Sequence, residues 1–401
     1  MRTNYLIPCL LSVVCLSSTA KINAQKSNAF AITGSSKGDI SWMTVRQIDL
    51  STSSVVRDIY SPKDKPATID ALSGARTVTV TAPTETFVAA TAYDTKTNRL
   101  FFTPMHSNEL RYFDLSKGTS AVYYVRNTPL KSFEEKSEAD VVTRMCFGAD
   151  GYGYALTNDA NHLIRFTSGS KITVSDLGSV KDGADNENIS IRNLCTSWGG
   201  DMIADAMGNL YVISMKKNVF KIDPQTMVAD FMGQIENMPA DYTINGAAVD
   251  DKGKVLVSSA TRTDNYYSVD LATLKATVVA KKGTDVYNAS DLASGHLAYE
   301  NTADAKVNPA VNVTGNAAVS VFPNPVLNRS FQVSFDKVAA GSHTLQVTTV
   351  SGTTVLSKVI DVNTKSVAQI TLPSSVRSGV YMIKVIDNAG KVTYSGKIVV
   401  Y

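Results

Sequence analysis

The chain has 401 residues, 44% of them hydrophobic and 19% charged, which predicts two or three globular domains with sizeable cores rather than a disordered protein. Its formal net charge is only +3, so the charge balance gives no support to nucleic-acid binding. Several catalytic signatures are also missing: there is no His-Glu-x-x-His helix, no phosphate-binding Gly-Lys-Ser loop and no Cys-x-x-Cys pair.

The first 24 residues have the organisation of a secretory signal peptide. A basic start at Arg2 precedes an apolar stretch from Tyr5 to Leu16 and then small side chains, so we expect cleavage after Ala24. The apolar stretch of about a dozen residues is too short to cross a bilayer of roughly 30 Å as a helix. We therefore predict a removed leader and no transmembrane anchor. The remaining chain has 37 basic and 36 acidic residues, a net charge of +1.

Two cysteines, Cys146 and Cys195, remain after removal of the leader. Export brings a protein into compartments that permit disulfides, so these two residues are a candidate pair. The alternative is that both are small buried apolar side chains, since the sequence does not tell whether their Cα atoms lie within disulfide distance.

Residues 25–300 consist of short alternating segments rich in β-branched and aromatic residues, with turns rich in Gly, Asn and Asp. One signal recurs in them, a hairpin with Gly or Asn in its turn and an apolar return strand. It is found at residues 92–102, 146–156, 203–212 and 248–257, with a fainter copy at 291–299. Gly and Asn suit these turns because they adopt left-handed backbone angles.

A second signal follows the hairpins, a strand that ends in an aspartate or threonine turn. The turn residues are Asp49, Asp114, Thr167, Asp223 and Asp270, at spacings of 65, 53, 56 and 47 residues. Each period fits one four-stranded blade, and a lone blade cannot bury its apolar faces, so the pattern predicts a closed β-propeller. Turn aspartates bond their own backbone, so we expect these four to be structural.

The order of the two signals predicts how the ring closes. The chain begins with the second half of a repeat, near residues 42–60, and the hairpin at 291–299 lacks its second half. The N-terminal strands are therefore expected to complete the last blade. Five repeats can be counted, and the stretch from Lys65 to Thr84 leaves room for a degenerate sixth, so five and six blades both stay open. The region resembles the broad group of gluconolactonase-like and quinoprotein-like propellers.

Ligands of propellers are expected at the mouth of the central channel, where loops lead into the innermost strands. Trp198, Tyr242 and Tyr287 offer an aromatic platform for a sugar ring or a peptide side chain, with packing under a loop as the alternative. The candidate binding residues at these positions are Glu85, Arg144, Asn193, Trp198, Tyr242, Asn245, Tyr287, Asn288 and Asp291.

The resemblance to gluconolactonase-like hydrolases implies a second possibility for the same region. Glu85, Asn245, Asn288 and Asp291 would then converge on a divalent cation such as calcium that polarises a lactone carbonyl. Hard-cation sites use more carboxylates than this set offers, so no cofactor is predicted and a polar channel mouth is the alternative. The acidic stretch 182–188 lacks calcium-loop spacing, and the histidines at 106, 162, 296 and 343 are too scattered for a metal site.

Residues 301–318 break the alternation and predict a linker. Residues 319–401 then predict a small antiparallel, immunoglobulin-like β-sandwich with one solvated face. Its seven predicted strands are at 319–322, 330–335, 343–350, 353–361, 367–372, 380–386 and 392–400.

This C-terminal segment resembles the type A C-terminal sorting domain of the type IX secretion system of Bacteroidota. The resemblance implies export through the periplasm to the cell surface or the medium, with the type IX translocon and a surface sortase as partners and removal of the domain by the sortase. The residues that carry the resemblance are Pro323, Asn324, Pro325, Gly379, Tyr381, Gly390 and Lys397.

For the propeller we expect a binding or adhesion role, with a glycan, peptide or protein as ligand, in preference to catalysis. Two alternatives stay open. One is a lactonase-like or glycan-cleaving enzyme with a cation at the channel mouth, and the other is a structural part of the secretion and attachment machinery. The sequence does not identify the ligand.

Overall fold

The computed structural model describes residues 27–77, 81–126, 128–279, 285–300, 319–322, 324, 326, 329–335, 340–349, 352–362, 366–377 and 379–400. Strands dominate this part of the chain, where the only helical elements are two short 3-10 helices, η1 (Leu115–Lys117) and η2 (Pro129–Ser132). The all-β prediction is confirmed. The predicted leader, 1–24, and linker, 301–318, lie outside the described residues.

The described strands before residue 300 follow the predicted hairpins and turns. In chain order they are β1 (Asn28–Thr33), β2 (Thr44–Asp49), β3 (Ser54–Tyr60), β4 (Ala67–Asp70), β5 (Arg76–Thr77), β6 (Val88–Asp94), β7 (Arg99–Pro104), β8 (Leu110–Asp114), β9 (Ala121–Val125), β10 (Val142–Phe147), β11 (Gly153–Thr157), β12 (Leu163–Phe166), β13 (Val174–Asp176), β14 (Lys181–Asp182), β15 (Asp201–Ala204), β16 (Leu210–Ile213), β17 (Asn218–Asp223), β18 (Val228–Gln234), β19 (Gly246–Val249), β20 (Val255–Ser258), β21 (Tyr267–Asp270), β22 (Lys275–Val278) and β23 (Ala289–Ala293).

These strands form five sheets, which we number as blades 1 to 5. From the inside outwards their strand orders are β23-β1-β2-β3, β6-β7-β8-β9-β4-β5, β10-β11-β12-β13, β15-β16-β17-β18-β14 and β19-β20-β21-β22. The innermost strands β23, β6, β10, β15 and β19 pack side by side in a closed ring. The described residues thus form a β-propeller of five blades.

The ring closes through the N-terminal strand. β1 lies between β23 and β2, with Ala31 opposite Leu292 on one side and opposite Arg46 on the other. Five of the six residues of β1 are buried. The prediction that the two ends of the propeller complete one blade is confirmed.

The structure decides between the two blade numbers that the sequence left open. The described residues of the stretch from Lys65 to Thr84 contain no sixth blade: β4 pairs in parallel with β9 and β5 pairs with β4, so both extend the outer edge of blade 2. One predicted detail is wrong. The faint hairpin at 291–299 does not form, because β1 occupies the place beside β23. The chain instead continues to Ala298, which forms a bridge with Asp205 of blade 4.

The turn aspartates are structural, as predicted. Asp49, Asp223 and Asp270 each accept the N–H of the residue two positions on, at 2.8 Å. Asp114 differs from these three: it directly precedes η1, and its Oδ2 lies 3.1 Å from Nζ of Lys117.

The C-terminal strands form a β-sandwich with its own core. The strands are β24 (Val319–Phe322), β25 (Ser330–Phe335), β26 (Gly341–Thr349), β27 (Thr354–Val362), β28 (Ser366–Thr371), β29 (Gly379–Asp387) and β30 (Val392–Val400). They form a three-stranded sheet, β24-β25-β28, and a four-stranded sheet, β27-β26-β29-β30. Phe331, Leu345 and Ile383 are among the residues buried between the sheets. All seven predicted strands are present, with bounds that differ by at most two residues.

Substitution of Ala31 by proline tests the closure. Because β1 has a partner strand on each side, loss of the Ala31 N–H removes a ladder hydrogen bond whichever way it points. We expect the free energy of unfolding from urea denaturation to fall by roughly 3 kcal/mol.

Val56→Pro is the matched control for that experiment. Val56 lies on the outer strand β3 at an irregularity of the ladder, where it has no direct partner, and it is 47% exposed. We expect little change for this variant. An equal fall in the free energy of unfolding for the two proline variants would show that stability depends no more on β1 than on an outer strand.

Candidate functional site

Neighbouring strands of these blades are antiparallel. The loops that lead into the innermost strands therefore emerge at the same end of the propeller as the loops between the second and third strands of each blade. We call this end the top face. It comprises residues 34–43, 81–87, 105–109, 128–141, 158–162, 183–200, 214–217, 235–245, 259–266 and 285–288. The candidate binding residues all lie there or within the first three positions of an innermost strand.

A buried pair of aspartates, Asp201 on β15 and Asp291 on β23, lies at the centre of the ring. We call it the carboxyl pair. Asp201 Oδ1 accepts the N–H of Met202 at 2.7 Å, and Asp201 Oδ2 accepts the N–H of Ala247 at 2.6 Å. Asp291 Oδ1 accepts the N–H of Thr91 at 3.0 Å and also its hydroxyl. These bonds connect the innermost strands of blades 1, 2, 4 and 5.

Burial raises the pKa of both carboxyls, and the pKa of Asp291 is raised further by the neighbouring charge of Asp201. Asp291 Oδ2 has no other donor in the described part of the chain. Two like charges in one buried place are unfavourable, so we expect the two carboxyls to share a proton near this oxygen. Burial also raises the pKa of the nearby Cys146 thiol, and the charges of both aspartates raise this pKa further.

Arg144 connects the remaining blade to the same centre. Its side chain is fully buried on β10, and its guanidinium donates to the carbonyl oxygens of Ser197 and Gly199 in the loop before β15 and of Thr157 on β11. Burial lowers the pKa of Arg144 to about 10, and Asp201 acts in the opposite direction. The N–H groups of the guanidinium thus bond to backbone carbonyl oxygens.

Asn288 and Asn245 are also engaged in structural bonds. Asn288 donates to the carbonyl oxygens of Asp39 at 3.0 Å and Ala260 at 2.6 Å, and it accepts the N–H of Gly38 at 2.8 Å. It therefore joins top-face loops of blades 1 and 5. Asn245 accepts the N–H of Ala260 at 3.2 Å.

The cation site considered from the sequence does not form. Glu85 is exposed in the loop before β6, whereas Asn288 and Asp291 are buried and bonded elsewhere. Across the described ranges, no three His, Cys, Asp or Glu side chains are grouped as a metal site. In the acidic stretch 182–188, Asp182 accepts hydrogen bonds from Ser190 and Ile191 and so fixes its own loop.

The three predicted aromatic residues do not share one platform. Tyr242 is buried and donates its hydroxyl proton to the carbonyl of Asn265 at 3.0 Å. Trp198 is half-buried, with Nε1 donating to the carbonyl of Arg192 at 2.9 Å. Tyr287 is half-buried, and the Arg46 guanidinium lies 4.1 Å from its ring centre. Packing under loops therefore accounts for Tyr242.

A different apolar group is exposed on the top face: Ile40, Trp42 and Phe87, which we call the top-face patch. Ile40 is 58% and Phe87 37% exposed. The rings of Trp42 and Phe87 meet edge to face, with centroids 6.2 Å apart, and the N–H of Val88 donates to the Trp42 carbonyl at 2.9 Å. Sequence reasoning missed this patch, because the two rings belong to loops of different blades.

Strain and an unpaired donor mark the same patch. Phe87 has φ of 66°, a left-handed conformation that costs energy for a bulky side chain. The Trp42 Nε1 is buried without an acceptor among the described residues. Both features are typical of surfaces that serve a purpose other than stability.

The channel below the carboxyl pair is closed by apolar packing. Innermost strands of all five blades line a cavity of about 20 Å³, which has room for about one water molecule. Its lining includes Tyr93, Met145, Met202, Ala248 and Leu292. The centre of the ring is thus a packed core.

The candidate disulfide does not form. Cys146 and Cys195 are both free thiols. Cys146 packs among the apolar side chains between blades 3 and 4, whereas Cys195 is exposed in a top-face loop. The alternative of a small buried side chain is confirmed for Cys146 alone.

Of the sorting-signal residues that are described, Asn324 and Lys397 lie at the β30 edge of the sandwich, whereas Gly379 and Tyr381 lie on the inner strand β29. Asn324 bonds to the backbone of β30 at Lys397 and Val399. The Tyr381 hydroxyl donates to the carbonyl of Arg377 at 2.9 Å, and Gly390 has φ of 80° in the turn before β30. Pro323 and Pro325 lie outside the described residues.

The strand order defines the class of protein: a β-propeller that is followed by a separate β-sandwich. Residues 320–401, 82 of the 401 residues, match the family described as the secretion system C-terminal sorting domain. The chain thus carries a type IX C-terminal sorting domain, which indicates export to the cell surface or the medium. No helix among the described residues has the length and apolar character needed to cross a membrane.

Curated relatives match about half of the chain. WD repeat-containing protein 1-B of Xenopus laevis is 25% identical over 209 residues, 49% of this chain and 32% of that protein. WD repeat-containing protein 1 of Xenopus tropicalis is 24% identical over 212 residues, 50% of this chain and 32% of that protein. The chain spans 32% of the length of these relatives.

Solved structures with similar architecture come from several bacteria. PorZ of Porphyromonas gingivalis, a surface component of the type IX secretion system, has a TM-score of 0.31 and 12% identity, with 93% of this chain and 51% of that chain covered. A protein of unknown function from Bacteroides thetaiotaomicron has a TM-score of 0.38 and 12% identity, with coverages of 67% and 71%. Virginiamycin B lyase of Staphylococcus aureus has a TM-score of 0.29 and 10% identity, with coverages of 78% and 84%.

The carboxyl pair predicts a pH-dependent stability. Between the unfolded-state pKa of about 4 and the raised pKa of the buried carboxyls, the folded state binds more protons than the unfolded state. The free energy of unfolding should therefore fall as pH rises from 5 to 8, by up to about 1.4 kcal/mol per pH unit for each proton. Asp291→Asn, whose amide donates without a titrating proton, should reduce this slope.

Urea denaturation at several pH values measures that slope, with Asp270→Asn as the control. Asp270 is an exposed turn aspartate, and its variant should keep the wild-type slope. An unchanged slope in Asp291→Asn would contradict the shared proton.

Calcium should have no effect on the folded propeller. A specific site binds calcium in the folded state alone and raises the unfolding temperature by mass action. Because the described residues lack a carboxylate cluster, we expect equal unfolding temperatures with excess calcium and with excess chelator. A calcium-dependent rise in the unfolding temperature would support the lactonase-like alternative.

Proposed function

We propose that the propeller is an exported binding protein whose top-face patch holds an apolar side chain of a peptide or protein ligand. Ile40, Trp42 and Phe87 carry the proposal, because they expose apolar and aromatic surface on the loop-bearing end of a rigid scaffold. Such residues are typical anchors of protein interfaces.

The remaining candidate positions support a binding role over catalysis. The donors of Arg144 and the amide of Asn288 serve backbone groups, and Asp291 is buried in the carboxyl pair. A hydrolase needs groups within hydrogen-bond reach of a substrate. The best exposed surface is instead apolar, and an apolar surface contributes affinity without chemistry.

The composition of the patch favours a peptide or protein over a glycan. Sugar rings are held by aromatic faces together with polar side chains that bond their hydroxyls. The patch has an aliphatic side chain, Ile40, and its two rings meet edge to face rather than presenting one open plane. This geometry suits a branched or aromatic side chain.

Selection of binders from a random peptide display library, with residues 25–401 immobilised, tests the proposal. Selected peptides should be rich in apolar residues, and Phe87→Ala should weaken their binding roughly 30-fold, the loss expected for an aromatic anchor worth about 2 kcal/mol. Fluorescence anisotropy measures the change in the dissociation constant.

Leu72→Ala is the matched control, because Leu72 is 83% exposed and lies outside the top face. It should bind the selected peptides like the wild type. Peptides that bind both variants equally would contradict a role for the patch. Binding to a glycan array that Phe87→Ala abolishes, with no selected peptide, would assign the patch to glycans.

A further inference from the structure

Asn324 and Val326 are distant in sequence from the strand β30, and both bond to it. Asn324 Nδ2 donates to the carbonyl of Lys397 at 2.8 Å, and Asn324 Oδ1 accepts the N–H of Val399 at 2.8 Å. The N–H of Val326 donates to the carbonyl of Val399 at 2.6 Å, and Val326 forms a parallel bridge with Val400. Val326 is fully buried.

The Asn324 amide acts here as a substitute for a peptide group. A side-chain amide offers one carbonyl acceptor and N–H donors, as a backbone peptide does. It bonds to the two residues Lys397 and Val399, as a neighbouring strand bonds to alternate residues of its partner. Asn324 and Val326 thus continue the sheet beside β30.

This contact matters because β30 is otherwise an edge strand. In the sheet order β27-β26-β29-β30, the described strands leave one side of β30 without a partner strand. A bare edge invites pairing with other chains. Asn324 and Val326 cover the final third of that edge.

We propose that Asn324 is a positioning residue of the sorting signal, and that Asn324, Val326 and the end of β30 form one composite surface for the type IX machinery. The amide holds residues 397–400 in the sheet, so that Lys397 is presented in a fixed position. The proposal rests on the sorting domain and is independent of the ligand that the propeller binds.

Asn324→Ala removes both amide bonds and tests the proposal in the full chain. Two hydrogen bonds of about 1 kcal/mol each correspond to a roughly 30-fold rise in local opening of the strand end. We expect a matching loss of hydrogen-exchange protection at the Val399 N–H, about tenfold less protein outside the cell, and accumulation in the periplasm. Protection of β26, inside the same sheet, and the unfolding temperature of the propeller should stay unchanged.

Asn388→Ala is the matched control, because Asn388 is an exposed asparagine in the turn between β29 and β30. It should be exported like the wild type. Wild-type export of Asn324→Ala with lost Val399 protection would overturn the proposal, since the strand end would then be free and still recognised.

Asn324→Asp keeps the experiment decisive if the alanine variant unfolds the whole sandwich. The aspartate has nearly the same shape and still accepts the Val399 N–H, but it has no donor for the Lys397 carbonyl. Export between those of the wild type and the alanine variant, with a folded sandwich, supports positioning by the amide. Full export of the folded aspartate variant, or a sandwich that is unfolded in both variants, assigns Asn324 a general structural role and overturns the proposal.

Discussion

Closure of the ring is the constraint on which the propeller depends. Five sheets must meet around one axis. Strand β1 closes the ring beside the innermost strand of blade 1, and the carboxyl pair of Asp201 and Asp291 connects innermost strands at the axis itself. We expect one proton to be shared by this pair, because two buried like charges are unfavourable. Removing one partner leaves backbone donors of neighbouring blades without an acceptor, so the pair enforces the arrangement of the strands more than it adds stability.

The same constraint moves the functional surface outwards. Positions at the start of the innermost strands are close to the axis, where backbone groups of loops converge and need partners. Arg144 and Asn288 supply these partners, and they are therefore unavailable to a ligand. With the axis closed by side chains, the proposed binding surface is on the loops of the top face, where the backbone of two adjoining blades holds Trp42 and Phe87.

The sequence predicts the blades well because their signals are local. A hairpin and an aspartate turn recur within tens of residues, and each depends on backbone angles of its own few residues. The carboxyl pair depends on contact between Asp201 and Asp291, and the patch on contact between Trp42 and Phe87. No single repeat contains either pair. For the same reason the sequence indicates Asp291 as a candidate ligand but does not indicate its neighbour Asp201.

The sorting domain faces a different requirement, since a secretion signal must be recognised whatever protein precedes it. Its core is built from residues of 319–400 alone, so the fold of the signal does not borrow apolar surface from the propeller. A self-contained sandwich still has edges, and an edge strand such as β30 has a partner strand on one side only. Fastening that edge with a side chain from the first segment of the domain makes the last strand depend on the presence of the whole sandwich. Recognition of such a composite surface reports that the domain is folded, which a short linear tail does not.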